Sequence, residues 1–420
     1  MKALILTYYW PPAGGSGVQR WLYFVKYLRE FGIEPIVFTV ENPNYPIEDA
    51  SLEKHIPKDI EIIRHKIWEP NAFLNKKQKK TAAGFLNQNP TILQKLLQYI
   101  RANYFIPDAR KFWIKPSVKK LSNYLAKHKI DWVITTGPPH SVHLIGKALK
   151  EKHTIKWLAD FRDPWTEIDY FHQLPLTKKS LLKHQSLEKA VLASANLITV
   201  VSQTMAKKYK ITNSNCHVIT NGFDGSISEG IQKLDSKFTL THVGMLNADR
   251  NPKLFWESIR ELIDENPEIK NKIQINLIGK VAEEVIENIK KNKLNNYVSI
   301  TSYLPHEAVY NRFTKSQVLL LFVNDVPNAK GIVTGKVFEY FQAKRPILAI
   351  GPTSGDLDLI INETKTGTLV GFQDKAKLKE LIVKYFKAFI NNVLIIESKG
   401  IEKYQRKKLT QQLAKLLKNN

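Results

Sequence analysis

The sequence predicts an α/β protein made of two consecutive doubly wound parallel sheets. Two observations carry that expectation. The chain opens as strand, glycine loop, helix, strand, the unit of such a sheet, and a second alternation of apolar runs with helical segments starts near Cys216. A length of 420 residues suits two or three domains at about 150 residues each.

The elements follow in order. Ala3–Thr7 is apolar and bounded by a Pro/Gly loop, so it reads as a buried strand. Val18–Phe31 has helical periodicity and stops at Gly32, and Ile36–Val40 is the second strand. Further strands are expected at Ile60–Ile63, Trp132–Thr135, Lys156–Ala159 and Leu197–Val201, with a Lys-rich helix near Leu176–Leu192 before the last. In the second half, strands are expected at His217–Thr220, Phe238–Val243, Ile273–Ile278, Val298–Ile300, Val318–Val323 and Ile347–Ile350. Helices alternate with them at Pro252–Asp264, Ala282–Asn292, His306–Lys315 and Lys336–Gln342. A basic helical stretch, Ser398–Leu417, follows, and no internal repeat is visible. The expected domains are residues 1–210 and 211–397, then a helical segment over 398–420, with the cleft between the two domains as the default ligand site.

Composition narrows the function. Lys and Arg number 63 against 39 Asp and Glu, a formal charge of +24. Such a balance points to a polyanionic neighbour: nucleic acid, an anionic membrane or a phosphorylated substrate. The single cysteine, Cys216, excludes an internal disulfide framework and a multi-cysteine zinc site. No apolar run reaches the ~20 residues that span a bilayer. The start, MKALILTYYWPP, does not read as a signal peptide, so a cytoplasmic protein is expected. Between the early strands, Glu69–Lys129 mixes basic and aromatic residues: LNKKQKK at Leu74–Lys80, then Tyr99, Tyr104, Phe105, Phe112 and Trp113 within Leu96–Pro116. This stretch reads either as a packed amphipathic helix pair or as a face for anionic lipid headgroups.

Six motifs carry candidate chemistry. In Tyr8–Arg20, Gly14, Gly15 and Gly17 sit between strand and helix, where backbone N–H groups can approach an anion. Their spacing fits neither the dinucleotide fingerprint nor a P-loop. His140 follows a strand at the edge where such sheets bind ligands, suited to a sugar hydroxyl or phosphate. Asp160, Arg162 and Asp163 crowd the end of an apolar strand. The expectation is that Arg162 holds a phosphate or carboxylate, oriented by the two acids; the alternative is an interior ion-pair cluster. Asn221–Gly222 is a turn dipeptide. After Gly244, Arg250 and Lys253 lie near a helix start, suited to a diphosphate. Last, Gly331, Thr334 and Gly335 form a loop opening a helix that carries Lys336 and Glu339; the glutamate is placed for ribose hydroxyls, or else the two form an ordinary intrahelical pair.

Taken in order, these blocks resemble the GT-B glycosyltransferases of the family 4 type. The resemblance rests on the Pro-Pro/Gly-Gly loop at Trp10–Gly15, ITVVS at Ile198–Ser202, Asn221–Asp224, Gly244 with Arg250, and FEYFQAKRP from Phe338, and it spans Lys2 to Leu417. Departures are Met245 in place of the usual Arg of the phosphate block, Gly331 where many members carry an acid, and Arg162 where a His is common. The resemblance implies two Rossmann-like domains facing a cleft, with the C-terminal helix crossing back to the first. It implies a nucleotide-sugar donor on the second domain, its ribose on Glu339 and its diphosphate near Gly244, Arg250, Lys253, Lys336, Thr334 and Gly335. A glycan or lipid-linked acceptor would sit near Gly14, Gly15, His140, Asp160, Arg162 and Asp163. Retention of configuration, no cofactor, no essential metal, domain closure and peripheral attachment to the inner face of the cytoplasmic membrane are also implied. Rival readings are a sugar-nucleotide epimerase, a non-catalytic relative and a nucleic-acid-binding protein. The last is disfavoured because the basic residues are dispersed and no nucleic-acid module is recognisable.

Overall fold

The computed structural model describes residues 1–69, 91–225, 233–302, 304 and 306–420. The chain divides into two compact units, residues 1–221 with 406–420, and residues 222–405. The Leu74–Lys80 run lies outside the described residues.

The first unit holds a seven-stranded sheet of β1 (Lys2–Leu6), β2 (Glu34–Val40), β3 (Glu61–His65), β4 (Trp132–Gly137), β5 (Lys156–Phe161), β6 (Leu197–Val200) and β7 (Cys216–Val218). Its helices are α1 (Ser16–Leu28), α2 (Ile92–Tyr104), α3 (Ile114–Leu125), α4 (Ser141–Lys152), α5 (Lys178–Ser194) and α6 (Gln203–Tyr209). The strand order is β3-β2-β1-β4-β5-β6-β7, and every pair is parallel. Covered on both faces, the central strands are nearly continuous apolar runs, as parallel sheets require; β4 is buried along its whole length. Gly32 takes φ 72°, the left-handed conformation that ends the helical segment after α1.

The second unit holds β8 (Phe238–Val243), β9 (Ile273–Ile278), β10 (Val298–Thr301), β11 (Val318–Phe322), β12 (Ile347–Ile350) and β13 (Gly367–Val370). Its helices are α7 (Lys253–Glu265), α8 (Pro267–Lys272), α9 (Glu283–Lys291), α10 (His306–Lys315), α11 (Lys336–Phe341), α12 (Asp356–Thr364) and α13 (Lys375–Ile390). The order β10-β9-β8-β11-β12-β13, again all parallel, repeats the doubly wound pattern.

Two expectations need correction. The strand expected to open the second domain is β7, which closes the first sheet by pairing with β6: Ile198 opposes Cys216 and Val200 opposes Val218. The division therefore falls after Asn221 rather than at residue 210. The final helix, α14 (Arg406–Asn419), also starts later than expected, because Ile401–Tyr404 is a short 3₁₀ turn of the second unit. Leu409, Leu413, Ala414 and Leu417 of α14 are buried in the same core as α1 and the first sheet. The Trp132 indole N–H donates to the Leu417 carbonyl at 3.1 Å.

α14 thus completes the core of the first unit. Leu413→Ala, which empties a fully buried site, is expected to destabilise that unit by about 2–5 kcal/mol. Chemical denaturation should show an earlier transition for the first unit and an unmoved one for the second.

Candidate active site

In a doubly wound sheet, ligands bind beyond the carboxyl ends of the strands where the strand order reverses. The first sheet reverses between β1 and β4, the second between β8 and β11. Most of the residues singled out in the sequence fall at these two places.

At the second reversal, β8 ends in His242 and Val243, and Gly244 follows. Gly244 has φ 128°, and its N–H donates to Ile278 O at 2.8 Å. A Cβ on neighbouring Gly279 would lie 2.4 Å from Gly244 O, so the two backbones meet too closely for any side chain there. From the loop after β8, Arg250 reaches across the reversal: its Nε donates to Asn324 Oδ1, just beyond β11, at 2.8 Å, and its Nη1 to Met245 O at 3.1 Å. α11 is fastened to the same place by Tyr340, whose hydroxyl accepts from Val243 N–H at 2.9 Å and donates to Leu320 O at 3.3 Å. On that helix Lys336 Nζ lies 2.7 Å from Glu339 Oε2, so in this state the two make the intrahelical pair. Gly335 precedes α11 with open space where a Cβ would stand. Lys253 opens α7 on the exposed surface.

His242 is a site residue that the sequence reading passed over. Its signal was a histidine two residues before the glycine, in a strand whose other polar residues are Thr239 and Thr241. It is buried, with Nδ1 3.2 Å from Leu320 O. A carbonyl can only accept, so Nδ1 is the nitrogen that donates to Leu320 O. Burial, with Arg250 and then Lys336 nearby, pushes its pKa down to about 3, so the ring is neutral near pH 7. Its Nε2, Thr334 Oγ1 and Asn247 Oδ1 are buried without a hydrogen-bond partner among the described residues. Such atoms are costly unless something comes to pair with them.

At the first reversal the expected acid–arginine arrangement is replaced by another. Asp160 is fully buried and pairs with Arg20, 140 residues earlier: Arg20 Nη2 donates to Oδ1 at 2.8 Å and Nε to Oδ2 at 3.2 Å. Trp21 Nε1 (2.6 Å), Thr136 Oγ1 (2.9 Å) and Thr199 Oγ1 (2.8 Å) complete its shell. A carboxylate so occupied is an interior anchor and has no lone pair left for an acceptor. Arg20 also donates to Thr220 O at 2.8 Å, tying α1 to the end of the first unit. Burial raises the Asp160 pKa, but Arg20 and the donors outweigh it and the net shift is downward.

Arg162 is likewise a brace. Its Nε donates to Gly137 O at 3.3 Å, Nη1 to Gly17 O and Nη2 to Pro138 O, so one buried guanidinium ties the first turn of α1 to the end of β4 and the loop that follows it. A Cβ on Gly17 would stand 2.7 Å from Nη1, so a larger residue there would displace the guanidinium from its carbonyls. Asp163 is exposed. Gly14 packs on residues 47–49, its N–H donating to Ile47 O at 2.9 Å, while Gly15, at φ 90°, caps α1 with open space around it.

His140 stacks flat on Trp165, with ring centroids 4.7 Å apart. Its Nδ1 and the Nε2 of His143 both face the bare Cα of Gly137; a Cβ there would lie 3.1 and 2.6 Å from them. Burial holds both imidazoles neutral; Arg162 adds to it at each ring, and at His143 the Asp160 carboxylate opposes it without reversing it. Among the described residues no group of three or more His, Cys, Asp or Glu side chains is placed to hold a metal ion.

No protein-family model matches the chain, and no curated protein matches it by sequence. Solved structures match over nearly the whole length. Sucrose-phosphate synthase from Thermosynechococcus elongatus is 14% identical with a TM-score of 0.62, covering 99% of this chain and 94% of its own. The apo lipopolysaccharide outer core galactosyltransferase WaaB is 12% identical with a TM-score of 0.60, covering 100% and 99%. A mutant of S. aureus TarM in complex with fondaparinux, alpha-GlcNAc-glycerol and UDP is 11% identical with a TM-score of 0.63, covering 99% of each chain. At these identities the likeness is one of fold, and the fold is GT-B: two parallel-sheet, Rossmann-like α/β domains.

Because Asp160 neutralises a buried arginine, Asp160→Ala is expected to destabilise the first unit by about 3–5 kcal/mol, measurable by denaturant titration. The sign with pH follows from the lowered pKa. The contribution is full above the unfolded value near about 4 and is lost as pH falls through the lower folded value.

Proposed function

We propose that the protein is a glycosyltransferase that moves a sugar from a nucleotide-sugar donor to a glycan or lipid-linked acceptor. The carrying observation is the convergence at the reversal of the second sheet. Arg250 spans from the β8 loop to Asn324, and Lys336 and Glu339 stand on a helix pinned to the same strand ends by Tyr340. Buried polar atoms of His242, Thr334 and Asn247 add unspent hydrogen-bonding capacity. The TarM neighbour's complex contains UDP, which supports a uridine nucleotide as the first donor to test.

In this reading the donor ribose bonds to Glu339 and the diphosphate lies against Arg250 and Lys336, with Thr334, Gly335 and Gly244 lining the approach and Lys253 at its outer edge. Binding exchanges the Lys336–Glu339 pair for contacts to the donor. That exchange costs little, because a part-exposed intrahelical pair is worth only about 0.3–0.5 kcal/mol. As the bond from the anomeric carbon to the diphosphate oxygen breaks, the electron pair leaves with the diphosphate, and the fixed cations stabilise that charge. An acceptor hydroxyl forms the new bond. These residues do the work without a metal ion or cofactor. The acceptor lies on the first unit beside Gly14, Gly15, His140 and Asp163, with Arg162 and Asp160 holding those loops in place. Family 4-type chemistry with retained configuration fits this arrangement.

Glu339→Ala should weaken nucleotide binding in calorimetry with the fold intact. Arg250→Ala should lower turnover roughly ten- to a hundredfold, from a lost charge-assisted contact of about 1.5–3 kcal/mol. Unchanged donor affinity in the first and normal turnover in the second would refute the site. A thermal-shift panel of nucleotide-sugars identifies the donor, and product analysis with and without acceptor separates transfer from epimerisation.

His140→Ala should depress transfer more than donor binding. Equal transfer rates would remove His140 from the acceptor side.

A further inference from the structure

The helix α2 is turned inside out. At 100° per residue, Ile92, Leu93, Leu96, Leu97, Ile100 and Tyr104 fall within an arc of about 140°. An arc of that kind normally faces a core. Here it faces solvent: Ile92 is 88% exposed, Leu93 65%, Leu96 53% and Leu97 56%. The buried residue of α2 is Ala102, on the opposite side. The orientation is fixed. Thr91 and Gln94 form a capping box at the N-terminus, and at the other end Asn103 exchanges hydrogen bonds with Pro175 O and Thr177 N–H, each at 2.8 Å.

The apolar face continues beyond the helix. Lys111 donates to Tyr104 O, and its ammonium sits over the rings of Phe105 and Phe112, at 5.1 and 5.0 Å. Phe112 meets Trp68 edge-on at 4.8 Å, and both are exposed. Where Asn103 touches the start of α5, that helix presents exposed Leu181 and Leu182 among exposed Lys178, Lys179 and Lys183. Neither Thr91–Pro107 nor Pro175–Leu187 contains an acidic residue. A wide apolar stripe on segments whose charged residues are all basic is the chemistry of the boundary between acyl chains and anionic headgroups.

We propose that α2, with Trp68, Phe112 and the first turns of α5, docks the protein on an anionic lipid bilayer. Ile92, Leu93, Leu96, Leu97 and Ile100 enter the acyl boundary, and Lys95, Arg101, Lys178, Lys179 and Lys183 meet the lipid phosphates. Among the described residues no helix is long and apolar enough to cross a membrane, so the attachment is peripheral. The inference does not depend on the transfer chemistry, and its test reads no activity.

The chain carries its own probe. Of its eight tryptophans, Trp10, Trp21, Trp113, Trp132, Trp157, Trp165 and Trp256 are buried, and Trp68 is 55% exposed. The full chain is mixed with phosphatidylcholine vesicles, with or without one-third phosphatidylglycerol, at low and high salt. Flotation should show binding to the anionic vesicles that weakens with salt. Brominated lipid should quench part of the tryptophan emission, and Trp68→Phe should lose that quenching. Leu96→Glu with Leu97→Glu, at positions already facing water, should lower binding at least tenfold with an unchanged melting temperature. Lys178→Glu with Lys179→Glu should weaken binding and flatten its salt dependence. The proposal falls if anionic vesicles do not bind, if neutral vesicles bind equally, or if binding leaves Trp68 unquenched. It also falls if the protein is a lipid-free dimer that the double glutamate variant splits, since the face would then belong to a second copy.

Discussion

In a doubly wound sheet every strand ends on the same edge. Where the strand order reverses, the two adjoining crossovers leave toward opposite faces and nothing covers the strand ends between them. Both sheets of this protein are wound that way, between β1 and β4 and between β8 and β11. An uncovered place of this kind needs support, and in each unit an arginine spans it. Arg162 holds carbonyls from both sides of the first reversal, and Arg250 runs from the β8 loop to Asn324 beyond β11. The difference between them decides their chemistry. Arg162 is buried behind its carbonyls and shapes a surface. Arg250 is only half-buried, and it and Lys336 both lie close enough to the buried His242 ring to push its pKa down, so the second reversal carries two cations.

Buried charge in the first unit follows a different logic. Burying a carboxylate and a guanidinium costs several kcal/mol each, and only a complete set of partners recovers it. Asp160 collects donors from α1, β4 and β6 at once. Those partners sit correctly only when the central strands and α1 are in register, so the pair disfavours other packings of the same apolar segments.

Much of the fold was legible in the sequence, because buried parallel strands announce themselves as short apolar runs and glycines mark their ends. What was misread depended on pairing rather than on pattern. A three-residue strand such as β7 looks alike whether it closes one sheet or opens the next, and only its register with β6 decides. Asp160 suggested a charge cluster, but its partner lies 140 residues away at Arg20, beyond any local signal. The basic-aromatic stretch was read as a whole, either packed on the domain or facing lipid, yet its members part company. Trp113 is buried and stacks on Phe38 at 5.3 Å, and Arg110 lies 3.0 Å from Glu69, whereas Phe112 stays exposed. Periodicity finds an amphipathic helix but cannot say which face turns inward, which is why both a packed and a lipid-facing reading of this stretch stood open; α2 turns its apolar face outward. The motif residues of the candidate site were found as positions; that Asp160 and Arg162 are interior anchors emerged from burial and partners.

The placement of α14 has a consequence for how the chain is made. The first unit needs residues 406–420, yet the whole of residues 222–405 comes between. During synthesis the first sheet leaves the ribosome with the patch reserved for Leu409, Leu413 and Leu417 still bare. That half waits, apolar and incomplete, while the second unit is translated and folds from contiguous sequence. The nascent first half therefore keeps that apolar patch exposed until the second unit has been translated.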